Sequence, residues 1–376
     1  MLRYAEIAAP GLLEGLLMPR LGATVARLTA MRRPAAVAEV PSRLSEMRDF
    51  GTNPGALIAR TYVPSGLAPG APCVVVLHGC TQNAALYDRG SGWSALADRH
   101  GFAVLFPEQA RANNFNLCFN WYGGDDRQRG RGEVASIAQM VRHLTALHRL
   151  DPARVFVNGL SAGGAMTAAM LATYPELFAG GAIIAGLPFG IAEGVPEALE
   201  RMRGKGMPSR GALASRAANA SDHRGPWPTL SVWHGTADDI VSSANAGAIV
   251  NQWRDRIGLG AVEGTADLVD GQRRTTWRDT AGRAMIERYD IKGMGHGVPL
   301  ATRGEAACGS AGAHMLEAGI CSTRRIAAFW GLTKAEMNSE AKQRATVFTA
   351  ATLPVAKPTG VGAVIEDALR AAGLMR

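Results

Sequence analysis

Short apolar runs recur along this chain and alternate with helix-like stretches, an order that few architectures tolerate. CVVVLHG (73–79), FAVLFPEQ (102–109), ARVFVNG (153–159), AGGAIIAGLP (179–188), TLSVWHG (229–235) and MIERYDIKG (285–293) read as strands. CVVVLHG is apolar at successive positions, as in a parallel strand buried on both faces. WSALADRHG (93–101) reads as a helix stopped by Gly101. VASIAQMVRHLTALHRL (134–150) has apolar residues at helical spacing, and SAGGAMTAAMLATYP (161–175) is a helix ending before Pro175. Strands and helices alternating through short loops predict an α/β domain of three layers around a mainly parallel sheet. Upstream, LIARTYVP (57–64) adds a strand and SGLAPGAP (65–72) a turn-rich connector.

The 376 residues suffice for one or two domains. Residues 1–50 read as a helical leader or packing extension, and 51–332 as the main α/β domain. Within it, 189–226 is rich in Gly, Arg and Ser and reads as an inserted cap or long loop. Residues 333–376 form an Ala-rich tail, partly helical and peripheral. No internal repeat is visible.

One junction carries chemistry. In VFVNGLSAGG (155–164) a strand meets Gly159-Leu160-Ser161-Ala162-Gly163, and a helix follows. This is G-x-S-x-G in the strand–turn–helix context that a nucleophile elbow requires. The sharp turn holds the serine in a strained conformation, and small flanking residues let it close. The new helix then aims backbone N–H groups at developing negative charge. The competing reading is a plain turn containing Ser161.

A serine hydroxyl needs a base, and the base needs an orienting acid. WHGTADDIV (233–241) offers Asp238 as the acid in a loop after a late strand, with the adjacent Asp239 as the alternative. GMGHGVP (293–299) sets His296 between glycines after the last strand. Ser161…Asp238…His296 is the chain order of the α/β-hydrolases. His78 and His234 also precede glycines at strand ends, but stand at the wrong point in that order for the base. His314 has no strand before it. Two oxyanion donors are expected, the N–H of Ala162 and the N–H of Cys80 in LHGCTQN (77–83), where His78 supports the loop.

There are five cysteines and no CxxC pair, which argues against a zinc site. Cys73 opens a strand and reads as a buried thiol. Cys80, Cys118, Cys308 and Cys321 are enough for two disulfides, but the sequence does not fix their pairing. Disulfides would imply an oxidising compartment. Residues 1–34 lack a compact apolar core followed by a cleavage site, so no signal peptide is assigned, and the cytoplasm stays the alternative. No run approaches a membrane span. The charge is +8, but the bases are scattered; RQRGR (127–131) reads as a solvated loop, not a nucleic-acid module.

Together, LHGCTQNAALYDRGSGWSALADRHGFAVLFPEQ (77–109), CFNWYGG (118–124), NGLSAGGAMTAAMLATYPELFAGGAIIAGLPFG (158–190), WHGTADDIV and GMGHGVP resemble the esterases of the poly(3-hydroxybutyrate) depolymerase family, in their type-1 catalytic domain. The resemblance covers about residues 50–332. It implies an α/β-hydrolase serine esterase acting on short-chain polyhydroxyalkanoates, with Ser161, Asp238 and His296 as triad. It further implies a Cys80 oxyanion contribution and Trp121 in the cleft, where a core aromatic is the competing reading. Secreted members carry a signal peptide, a linker and a polymer-binding domain, and none is evident in these residues. The resemblance and the possible disulfides favour an extracellular or periplasmic esterase, and without a binding domain in these residues crystalline polymer is not the expected substrate. Its partner is an ester, polymeric or oligomeric, and no metal or organic cofactor is expected. Feruloyl and acetylxylan esterases of the same family are the alternative, as is a non-catalytic hydrolase-like binding protein.

Overall fold

The computed structural model describes residues 42–304 and 307–333. Expectations for 1–41 and for the tail beyond Thr333 lie outside the described residues. A ten-stranded sheet organises the rest. Its strands in chain order are β1 (Ser45–Met47), β2 (Ile58–Tyr62), β3 (Cys73–Leu77), β4 (Ala103–Glu108), β5 (Val155–Leu160), β6 (Gly180–Ile184), β7 (Thr229–Gly235), β8 (Thr265–Val269), β9 (Gln272–Arg278) and β10 (Ala284–Ile291). They lie in the order β1-β2-β4-β3-β5-β6-β7-β10-β9-β8. The six from β4 to β10 run parallel, and antiparallel strands extend both edges. A short parallel pair, β11 (Val298–Leu300) and β12 (Met315–Glu317), stands apart from this sheet.

The helices are α1 (Ala84–Ser91), α2 (Trp93–His100), α3 (Gly132–Leu147), α4 (Ala162–Thr173), α5 (Val195–Met202), α6 (Arg210–Ala218), α7 (Ala244–Arg256) and α8 (Ser322–Phe329). They cover both faces of the sheet, and alternation along the strands shows why. Cys73, Val75 and Leu77 of β3 join a core with Ile137 of α3, Met166 of α4 and Ile249 of α7. Val74 and Val76 join another with Tyr87 of α1, Leu96 of α2 and Ile326 of α8. Each such side chain contributes about 1.5–3 kcal/mol on burial. A sheet apolar on both faces needs helices on both, so the three layers follow from the strand composition.

Three features depart from the sequence reading. Residues 45–47, grouped with a helical extension, pair as a strand with β2. Helix α1 escapes a periodicity reading because it is short; Asn83 caps it by accepting the Leu86 N–H, and Gly92 ends it in the left-handed conformation. The β8–β9 hairpin is polar and half-exposed, so it lacks the apolar run that marks the central strands. Residues 189–226, expected to be a cap or long loop, contain α5 and α6.

Candidate active site

The parallel strands end along one edge, and the expected site residues lie on the loops that leave it. Ser161 follows β5 with φ 56° and ψ −116°, a backbone state that costs a non-glycine residue about 1–3 kcal/mol. The turn is pinned on both sides. The Ser161 N–H donates to Ile184 O of β6, and Ser161 O accepts from the Ala165 N–H. Gly163 sits so close to β3 that a Cβ there would lie 2.3 Å from Leu77 O and 2.5 Å from His78 O. Ser161 occupies the N-cap position of α4, yet its hydroxyl caps nothing. By contrast, Ser209 spends its hydroxyl on the Ala212 N–H of α6.

Asp238 and His296 meet. His296 Nδ1 lies 2.8 Å from Asp238 Oδ2. The Asp238 side chain is fully buried and that of His296 is 6 % exposed. Asp238 Oδ1 accepts from the N–H groups of Ile240 (3.0 Å) and Val241 (2.8 Å). His234 Nε2 is 3.3 Å from Oδ2. Burial alone would raise the Asp238 pKa. The hydrogen bonds from His234 and His296, the His296 charge and the Val241 N–H outweigh it and hold the carboxyl well below the ordinary range. Asp239, the adjacent candidate, is exposed.

The loops bearing these two residues are stitched together. The Thr236 N–H donates to Ile291 O, the Ala237 N–H to Met294 O, and the Gly293 N–H to the Thr236 hydroxyl. Gly235 allows the approach, since a Cβ there would lie 2.2 Å from Met294 O. Ser161 leaves the same sheet edge from β5, two strands from β7. Among the described residues no hydrogen bond joins its hydroxyl to His296. Such bonds are often long before substrate arrives.

On the other side of Ser161 lies the loop after β3. Cys80 is joined to Cys118 by a disulfide, and Cys308 to Cys321 by another. Cys73 is free and buried, which pushes its thiol up to about 12. Among the described residues the Cys80 N–H has no hydrogen-bond acceptor, and the Ala162 N–H heads α4, where helices leave amides unpaired. His78 is buried, which pushes its pKa down to about 4. Its Nδ1–H donates to Gly79 O, and its Nε2 accepts the Gln109 N–H. Both nitrogens are thus committed to holding the loop. Gln82 adds a brace, with Oε1 accepting the Gly79 N–H. Glu133 is buried beneath, accepting from Gln109 Nε2, Asn120 Nδ2 and the Asn120 N–H.

Trp121 follows Asn120 and is 7 % exposed, edge-on to Tyr122 at 5.5 Å and part of the core. His314 lies beside His296 at 5.7 Å between ring centroids, and its Nδ1–H donates to His296 O. No local pattern signals that contact, because His314 sits on a turn outside the strand series. Among the described residues no group of three or more His, Cys, Asp or Glu is placed to hold a metal. No helix there is long and apolar enough to cross a membrane.

Residues 57–276 match the Esterase PHB depolymerase family. The chain is 43% identical over 291 residues to poly(3-hydroxyalkanoate) depolymerase C of Paucimonas lemoignei, across 77% of this chain and 70% of that one. It is 29% identical to feruloyl esterase B of Talaromyces funiculosus, across 68% and 73% of the two chains. The acetyl xylan esterase structure from Aspergillus awamori aligns with a TM-score of 0.65 at 24% identity, over 77% of this chain and 99% of that one, and so shares the fold. With the fold and motifs described above, these similarities show that the chain is an α/β-hydrolase serine esterase and belongs to the PHB depolymerase family.

Proposed function

We propose that this esterase cleaves short-chain polyhydroxyalkanoate, as polymer or oligomer, through an acyl-enzyme on Ser161. His296 Nε2 takes the Ser161 proton as Oγ attacks the ester carbonyl carbon. Asp238 holds the His296 tautomer through Nδ1–H. The negative oxygen of the tetrahedral intermediate accepts hydrogen bonds from the Cys80 and Ala162 N–H groups. Collapse breaks the C–O bond, and the leaving alcohol takes the proton from His296. Water then repeats the attack, deprotonated by the same histidine, and frees the hydroxy acid and Ser161.

The observation that carries this reading is the His296–Asp238 contact on the edge where Ser161 is strained. The substrate class rests on the identity to the Paucimonas lemoignei depolymerase. Trp121, next to the loop fixed by Glu133, is assigned to the cleft near the bound ester. Two disulfides and the family relationship favour an extracellular or periplasmic enzyme.

Parallel assays on 3-hydroxybutyrate oligomers, amorphous polymer and feruloylated or acetylated sugars test the substrate. Faster turnover of the sugar esters would overturn that class and favour the feruloyl or acetylxylan reading. Ser161→Ala and labelling by a phosphonate probe test the mechanism. Full p-nitrophenyl ester hydrolysis by Ser161→Ala would refute it, and a folded chain that takes up no probe would favour a binding protein.

A further inference from the structure

His234 is the penultimate residue of β7, 1 % exposed, and no step above uses it. Its Nε2 is 2.8 Å from Val241 O and 3.3 Å from Asp238 Oδ2. A carbonyl oxygen only accepts, so the proton is on Nε2, and it faces both oxygens in a three-centre arrangement. His234 Nδ1 is then a buried acceptor, and it has no partner among the described residues. A buried unpaired polar atom costs about 1–3 kcal/mol. An aromatic or aliphatic side chain would fill this place without that penalty, so packing alone does not account for a histidine here.

What the ring does is visible at Asp238. Two N–H groups of the loop fix Oδ1, while Oδ2 receives His296 Nδ1 on one side and His234 Nε2 on the other. The carboxylate cannot turn without breaking one of these contacts. The same Nε2–H ties Val241 O back to β7, which closes the loop that carries Asp238.

We infer that His234 is a positioning residue of the hydrolytic site, holding the Asp238 carboxylate in the orientation that aims Oδ2 at His296 Nδ1. This rests on the triad reading above. His234 touches no substrate; it acts on the base through Asp238.

NMR of the wild-type enzyme with 15N-labelled histidine reads the tautomer directly. A proton on Nε2 of His234 is expected, and a proton on Nδ1 instead overturns the inference. Two variants test the role. His234→Leu removes the donor, while His234→Gln keeps an N–H at a similar reach. In His234→Leu, kcat should fall by about 10–100-fold with little change in KM, as when an orienting partner is lost. The downfield Nδ1–H signal of His296 should shift or vanish, and His234→Gln should restore both. If His234 only pinned Val241, His234→Leu would lower the melting temperature while kcat and the His296 signal stayed put, and that outcome overturns the inference. Should His234→Leu not fold, His234→Gln decides: near-parental kcat with the His296 signal intact supports the role, and a folded but impaired His234→Gln refutes it. Ser161→Ala separates the two readings. If it stays active the triad itself is wrong, whereas an inactive Ser161→Ala beside a fully active His234→Leu refutes only the present inference.

Discussion

His296 Nδ1 lies 2.8 Å from Asp238 Oδ2, and 58 residues of chain separate the two. The contact exists because β7 and β10 are parallel neighbours whose exit loops leave the same edge. Its chemical content is a tautomer: with Nδ1–H donated to the carboxylate, Nε2 is left to accept a proton. Asp238→Asn can present its own N–H to Nδ1 and so favours the wrong tautomer. We expect kcat to fall by about 10³–10⁴-fold with the fold intact, as for a triad acid. Asp239→Asn, at an exposed site, should stay within about two-fold of the parent. Steady-state kinetics on a p-nitrophenyl ester, with circular dichroism for folding, checks both.

The turn at Ser161 depends on how close its helix comes to β3. A methyl group on Gly163 would lie 2.3 Å from Leu77 O, a backbone atom with nowhere to go. Gly163→Ala should therefore displace the elbow and abolish phosphonate labelling, with a stability loss of about 2 kcal/mol or more. Gly211, inside α6, faces open space. There the same substitution should stabilise by up to about 1 kcal/mol, because alanine loses less backbone freedom in a helix. Thermal melts of the two variants should move in opposite directions.

The parts of this arrangement legible in the sequence are those set by local pattern. The apolar runs of β3 through β7 give the sheet, and G-x-S-x-G between strand and helix gives the elbow. Chain order favours His296 over His78 and His234, but it leaves Asp238 and Asp239 side by side; only the buried contact of Asp238 with His296 tells them apart. Contacts between loops distant in sequence left no such trace. His234 was visible as a histidine before a glycine, but nothing local says that its Nε2 reaches Asp238. Glu133 stands in the first turn of α3, where an acidic residue is ordinary. Only the fold puts it under Gln109 and Asn120. Helix α1 and the β8–β9 hairpin were missed for a related reason, since short capped helices and half-exposed strands carry weak periodicity.

Cys80 joined to Cys118 ties the loop carrying an expected oxyanion donor to the segment before Trp121. Thr81 N–H to Asn116 O runs alongside it. On the chain-entropy account, a link across 38 residues stabilises by about 4 kcal/mol, and the Cys308–Cys321 link across 13 by about 3 kcal/mol. Reductant should lower the melting temperature. A Cys118→Ser variant should lose kcat as well, because the Cys80 N–H is no longer held. Unchanged kcat in that variant would show that Gln82 and His78 suffice to hold the loop.

Glu133 supplies a pH test of the same scaffold. Burial and the nearby Asp126 push its carboxyl up to about 8, against the donors from Gln109 and Asn120. In the unfolded chain the group titrates near 4.5. Between these values the folded protein keeps a proton that the unfolded chain has released, so stability falls as pH rises across this window and levels off above about 8. Glu133→Gln cannot ionise and should lack this slope. Its stability relative to the parent should improve from pH 4 to pH 9 by an amount on the order of a few kcal/mol. The absolute level at low pH tests a separate point. The amide NH2 cannot accept the Asn120 N–H, so Glu133→Gln should start below the parent there. Urea melts at several pH values read both quantities. Parallel curves for the two proteins would mean that Glu133 is ionised in the folded state and that its three donors outweigh burial.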